Sequence, residues 1–172
     1  MSSLEFRCAS VESEIGSLRV TEGPNGVASV ELRPGALTTL ERRLERRYGR
    51  PAEIREVRSV PACAELREYF RGKRRSFAAR LDLSHLPEFE RRVLEALRKV
   101  PFGEVVSYGE LARRAGSPGA ARAVGGAMRN NVLPIFVPCH RVTAADGTIG
   151  GFTGGLDKKR WLLRLEGVSF EQ

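Results

Sequence analysis

The chain has 172 residues, 41% hydrophobic and 29% charged, with a formal net charge of +8. That length holds one large domain or two small ones with a real core, no apolar run approaches the ~20 residues of a membrane span, and Met1–Glu5 lacks the basic and apolar parts of a secretory signal. A basic balance of this size favours a polyanionic partner, nucleic acid before a membrane surface, although a generic solvated basic surface would carry the same charge.

The first third reads as β followed by α. Phe6–Glu12, Ser17–Glu22 and Val27–Leu32 are short and β-rich, separated by Gly16 and the Gly23-Pro24-Asn25-Gly26 cluster, which predicts a meander. Leu37, Leu40, Leu44 and Tyr48 then recur at helical spacing. Pro61 opens a second helix to about Arg71. Lys73-Arg74-Arg75-Ser76 is a basic link, and Ala78–Leu83 reads as a last strand or an extended connection. A boundary is expected between residues 76 and 86, giving domains over residues 1–80 and 81–172.

The second half is mostly helical. Pro87 opens a helix with Phe89, Val93, Leu97 and Val100 on its apolar face, and Pro101-Phe102-Gly103 ends it. Ser107-x-x-Glu110 predicts a capping box and a short helix to about Ala115. After Gly116, Ser117-Pro118 supplies a new cap, and the next helix runs from about Gly119 to Met128. Two short helices across a tight turn match a helix-turn-helix, and equally an ordinary αα-hairpin in a core. Composition favours the first. Gly125 and Gly126 weaken a helix, yet they suit a backbone that must lie against something else, such as a duplex groove. Arg122 and Arg129, seven apart, share one face of it.

Pro138-Cys139-His140-Arg141-Val142 follows the apolar run Val132–Val137 and sets a thiol beside an imidazole. A thiolate is the reactive form, and a neighbouring base can make it. A buried free cysteine acting as a small apolar residue is the plain alternative. Cys8, Cys63 and Cys139 are far apart with no C-x-x-C, which argues against a disulfide framework and for a reducing compartment. Only His85 and His140 can add imidazole ligands, so no metal site is expected. Asp146-Gly147 is a tight turn leading into the glycine-rich Gly150–Gly155 loop. That loop lacks the Lys-Ser/Thr ending of a P-loop. The last helix, about Leu156 to Glu166, is expected to pack through Trp161, Leu162 and Leu165 and to stop at Gly167. Glu166 sits at the negative end of its dipole, against the local rule. A carboxylate held for a histidine would explain it, giving Cys139, His140 and Glu166 as nucleophile, base and orienting group.

Five segments together resemble the O6-alkylguanine-DNA alkyltransferases, also called methylated-DNA–protein-cysteine methyltransferases. They are Phe102–Tyr108, Ala121–Arg129, Pro134–Val142, Gly150–Leu156 and Lys158–Gly167. They lie in this order between residues 102 and 167 of the second half, and Pro-Cys-His-Arg-Val with Arg-Ala-Val-Gly-Gly-Ala-Met is the most specific pair. The resemblance implies an α+β fold: an N-terminal ribonuclease-H-like α/β domain and a mostly helical C-terminal domain with a helix-turn-helix. It implies direct, single-turnover repair by a suicide transferase. The alkyl group moves from O6-alkylguanine, flipped out of double-stranded DNA, to Cys139.

The same resemblance assigns roles. His140 would deprotonate Cys139 through a water, and Glu166 would orient His140. Asn131 would steady the loop, and Tyr108 would contact the guanine and protonate it. Arg122 would fill the vacated stack from the minor groove, with Ala121, Ala123, Gly125 and Arg129 beside it on the DNA. Val142, Phe152, Thr153 and Gly154 would form the base pocket. Phe152 stands where some members have tyrosine, so a hydroxyl contact is lost there. No cofactor, no zinc and no membrane contact are expected. A monomer in the cytoplasm is expected, or in the nucleus of a eukaryote. Alkyl size, O4-alkylthymine and cooperative binding along DNA stay open. A relative that only binds lesions would lack the acceptor cysteine, and an unrelated cysteine hydrolase would turn over repeatedly.

Overall fold

Alternating apolar residues build the first sheet. In the computed structural model, which describes residues 1–170, β1 (Leu4–Ser13), β2 (Gly16–Gly23) and β3 (Gly26–Glu31) form the expected antiparallel meander. A fourth strand, β4 (Ala52–Glu56), pairs parallel with β1, so the sheet order is β3-β2-β1-β4. It was not legible, because Ala52 alone of its five residues is buried. Helix α1 (Leu37–Tyr48) presents Leu40 and Leu44 to Phe6, Ala28 and Ala52, and Gly49 ends it at φ 65°. Helix α2 (Pro61–Phe70) carries Pro61 in its first turn and buries Ala62, Cys63, Leu66, Tyr69 and Phe70.

The segment 78–83 is an extended connection that makes one bridge, Leu81 to Val27. The Val27 N–H donates to the Arg80 carbonyl at 2.8 Å, and the Asp82 N–H donates to the Val27 carbonyl at 2.9 Å. Asp82 also accepts from the Tyr48 hydroxyl at 2.7 Å, and His85 lies 5.5 Å from the Tyr48 ring. These contacts hold residues 81–85 to the first compact unit, Met1–His85; the second is Leu86–Gln172. The division therefore falls five residues beyond the expected 80/81.

The second unit is built on helices. Helix α3 (Glu88–Arg98) buries Val93, Leu94, Ala96 and Leu97, with Phe89 only half-buried. Two-residue β5 (Val106–Ser107) runs straight into α4 (Tyr108–Arg114). Ser107 caps α4 by accepting from the Glu110 N–H at 3.1 Å. The capping box is only half made. The Glu110 carboxylate turns to Arg113 and Arg114 instead of reaching back.

Helix α5 (Ala121–Arg129) starts two residues later than expected and has no side-chain cap. Gly119 is the reason: at φ 85° it cannot sit in a right-handed helix, so Ser117-Pro118 belong to the turn before it. A 3-10 turn (Cys139–Arg141) feeds β6 (Val142–Thr143), which pairs parallel with β5. Helix α6 (Leu156–Leu165) closes the unit. It buries Lys159, Leu162 and Leu163, while the expected Trp161 and Leu165 are half-buried.

Candidate active site

The short β5–β6 ladder assembles the site. Val106 pairs with Val142 and Ser107 with Thr143 in parallel, which ties the start of α4, with Tyr108, to the strand that follows the Cys139–Arg141 turn, and Tyr108 and Cys139 line one cleft. Cys139 is buried and free, 8% exposed. It lies on a cleft of about 940 Å³ lined also by Tyr108, Ala121, Arg122, Gly125, Arg129 and the Gly151–Thr153 loop. Met128 lines the same cleft and escaped the sequence reading.

Behind the cysteine is a buried ionic cluster. The His140 ring lies with Nε2 2.7 Å from Glu166 Oε2, and both side chains are fully buried. Arg141 grips the same carboxylate from the other side, Nε to Oε1 at 2.7 Å and Nη2 to Oε2 at 3.0 Å. Its Nη1 donates to the Val100 carbonyl at 2.7 Å, and its guanidinium stands 6.0 Å from the Phe102 ring centre. Glu166 caps α6 because the cluster needs its carboxylate there, and these bonds outweigh the small dipole penalty.

Burial pushes the Glu166 carboxyl up, but hydrogen bonds and charge from His140 and Arg141 pull it down to about 2. It is therefore ionised and can only accept. The proton of neutral His140 then sits on Nε2, leaving Nδ1 as the basic nitrogen. Burial holds the His140 value below the ordinary imidazole range, with Glu166 opposing. Nδ1 is buried and has no hydrogen-bond partner among the described residues. Burial raises the Cys139 thiol, against a hydrogen bond from Asn131 and the charge of Lys159. Burial likewise raises Tyr108, with the Cys139 charge adding to it, so its phenol keeps its proton near neutrality.

Asn131 staples the loop that leads to the cysteine. Its Nδ2 donates to the Val137 carbonyl at 3.2 Å and its Oδ1 accepts from the Leu133 N–H at 3.0 Å. Arg122 and Arg129 are exposed and have no carboxylate partner among the described residues. Three expected contact residues stand off the cleft lining. Ala123 is exposed on α5, and Gly154 follows the lining segment. Val142 is fully buried in β6, and its carbonyl is engaged by Lys159. Arg141 and Lys159 were both missed. Among the described residues no three His, Cys, Asp or Glu cluster as metal ligands would.

Ionised Glu166 has a folded-state value below its unfolded one, so its contribution is complete above the ordinary carboxylate value of 4.5 and is lost as pH falls toward about 2. Urea midpoints of the wild type should thus fall between about pH 5 and pH 3, and Glu166→Gln should flatten that slope. Parallel slopes would disprove the assignment.

A cysteine on an open cleft, backed by a buried histidine–carboxylate pair in a mixed α+β protein, defines a thiol-based group-transfer protein. The family profile described as "6-O-methylguanine DNA methyltransferase, DNA binding domain" matches residues 88–168. A methylated-DNA–protein-cysteine methyltransferase of Mycolicibacterium paratuberculosis is 43% identical over 86% of this chain and 90% of its own length. The Mycobacterium leprae protein of that name is 50% identical over 61% of this chain and 63% of its own. The crystal structure of Mycobacterium tuberculosis OGT in complex with DNA superposes with a TM-score of 0.78 at 34% identity, covering 95% of this chain and 93% of that one. The chain belongs to the methylated-DNA–protein-cysteine methyltransferase family.

Proposed function

We propose that the protein repairs O6-alkylguanine in duplex DNA by moving the alkyl group, once and irreversibly, to Cys139. The observation that carries this reading is the Cys139 thiol on the cleft beside the buried His140–Glu166 pair. The family assignment fixes the class of chemistry, DNA-repair methyl transfer to a protein cysteine.

The target base is inaccessible inside a duplex, so it must be extruded, and a weakened pair opens most cheaply. In this reading α4 and α5 act as a helix-turn-helix on the minor groove, with Arg122 entering the stack as the base leaves. Gly125 supports close approach. A Cβ built there meets nothing within 4 Å, so no protein neighbour requires the glycine, yet it lines the cleft. A Cβ at Gly151 also meets nothing within 4 Å, which leaves room for a planar base along that loop. The sheet order β3-β2-β1-β4 with parallel β4 supports a ribonuclease-H-like first unit.

The chemistry then balances. Nδ1 of His140, basic and without a hydrogen-bond partner among the described residues, takes the thiol proton through one water. The thiolate attacks the alkyl carbon in line. A carbon–sulfur bond forms as the carbon–oxygen bond to the guanine breaks. Tyr108, still a phenol, donates a proton so that the base leaves neutral. The thioether is stable and no group among the described residues is placed to cleave it, so each protein molecule acts once.

Intact-mass measurement tests this directly. One equivalent of O6-methylguanine duplex should add a single methyl, mapped to Cys139, and Cys139→Ala should gain nothing. Wild-type protein of unchanged mass would sink the reading, and repeated turnover on an ester would replace it with a hydrolase.

A further inference from the structure

The first sheet is open along the outer side of β4. The Leu4 N–H donates to the Pro51 carbonyl and the Val57 N–H to the Cys8 carbonyl, both at 2.8 Å. Backbone groups alternate along a strand, so residues 51, 53, 55 and 57 face β1 and residues 52, 54 and 56 face outward. No strand pairs with β4 on that side. Glu45 Oε1 takes the Ala52 N–H at 3.3 Å, and the outward groups of Ile54 and Glu56 have no partner among the described residues. Glu53, Arg55 and Glu56 are exposed, and Ile54 is half-buried.

Charge ordinarily guards such an edge against other chains. Here the charges are ordered. Glu53 and Arg55, two residues apart, share the face opposite to Ile54. In the parallel register Glu5 lies beside Glu53 and Arg7 beside Arg55. Each of these charges therefore has a like charge across the ladder, which is unfavourable. Glu53 accepts from the Ser3 hydroxyl at 2.6 Å, and Arg7 reaches Glu22 only at 3.9 Å.

A second copy laid antiparallel along the edge reverses that arrangement. With a two-fold axis at Ile54, Glu53 falls opposite Arg55 of the second copy, and Arg55 opposite its Glu53. These are the non-hydrogen-bonded positions, where Cα atoms approach to about 4.5 Å and side chains lie closest. The Ile54 N–H and C=O exchange bonds with those of the second Ile54. Each Glu56 N–H meets an Ala52 carbonyl, which leaves the Glu45–Ala52 bond intact. Moving the axis by one residue would set Glu53 or Arg55 against its own copy, so the charges select this register.

We propose that the β4 edge is a self-complementary docking surface whose occupant is β4 of a second copy of this chain. One short strand per copy buries far less than the roughly 1,200 Å² of a stable interface. The pairing is therefore transient, and the chain is a monomer when dilute.

Sedimentation equilibrium of the full chain tests this, with far-UV circular dichroism to show that each variant is folded. From about 10 μM to about 1 mM at low salt, the wild-type average mass should rise toward that of a dimer. Added salt should reverse the rise, because exposed charge pairs are screened. Glu53→Arg and Arg55→Glu each turn attractive pairs into repulsive ones and should weaken association at least about tenfold. A mixture of the two single variants should associate where neither does alone, and the double exchange should regain wild-type association. Wild-type protein that stays monomeric to about 1 mM overturns the proposal. Association unchanged in both single variants also overturns it, pointing instead to a backbone contact open to any extended chain. A double exchange that stays monomeric overturns the register.

Discussion

Replacing Arg141 by methionine is expected to destabilise the second unit by about 3–5 kcal/mol. The residue is 5% exposed and is bound to a carboxylate with no exposed side-chain surface. Removing the guanidinium leaves Glu166 buried with His140 alone, and strands the Val100 carbonyl that Arg141 also satisfies. A missing partner in such a pair costs far more than the pair itself contributes. Chemical denaturation of the two proteins at pH 7 measures the difference. A loss below about 1 kcal/mol, the range of an exposed ion pair, would show that the cluster is solvated in solution.

Arg122→Ala is expected to separate two substrates. If the exposed guanidinium takes the place of the flipped base, duplex repair should slow by at least about tenfold, an effect of roughly 1.4 kcal/mol on the barrier. Free O6-benzylguanine needs no extrusion and should react at the wild-type rate. Single-turnover rates on both substrates decide it, and equal losses on both would refute the role. Arg122 is suited to such a test because it is exposed and pairs with no carboxylate among the described residues. Its removal leaves the buried cluster intact.

Much of the site was legible because its chemistry is written in contiguous runs. Cys139 and His140 are neighbours, and Glu166 betrayed itself by sitting at the wrong end of a dipole. Arg141 was next to them and was still missed. A run of buried residues gives no sign of which one is charged for a purpose until its partner is seen. Lys159 did carry a signal, a cation in a first turn, of the same kind that exposed Glu166. It stands in the basic run Lys158-Lys159-Arg160, where nothing in the sequence singles out one cation. In the first unit, the meander follows from β-rich runs between turn residues, α1 from apolar spacing and α2 from Pro61, whereas β4 buries too little to alternate and is held by its backbone pairing to β1. The start of α5 depended on Gly119 taking a left-handed conformation, which Ser117-Pro118 masked.

Ile135 sits at φ 75°, alone among the non-glycine residues described. For a β-branched side chain such a conformation costs on the order of 1–3 kcal/mol. It is tolerated because Leu133, on one side, and Val137, on the other, are both bonded to Asn131 and to each other, the last at 2.8 Å. The Pro138-Cys139-His140 motif is therefore not portable. Grafted into another scaffold without residues 131–137, the same tripeptide would relax to an ordinary bend and point its sulfur elsewhere.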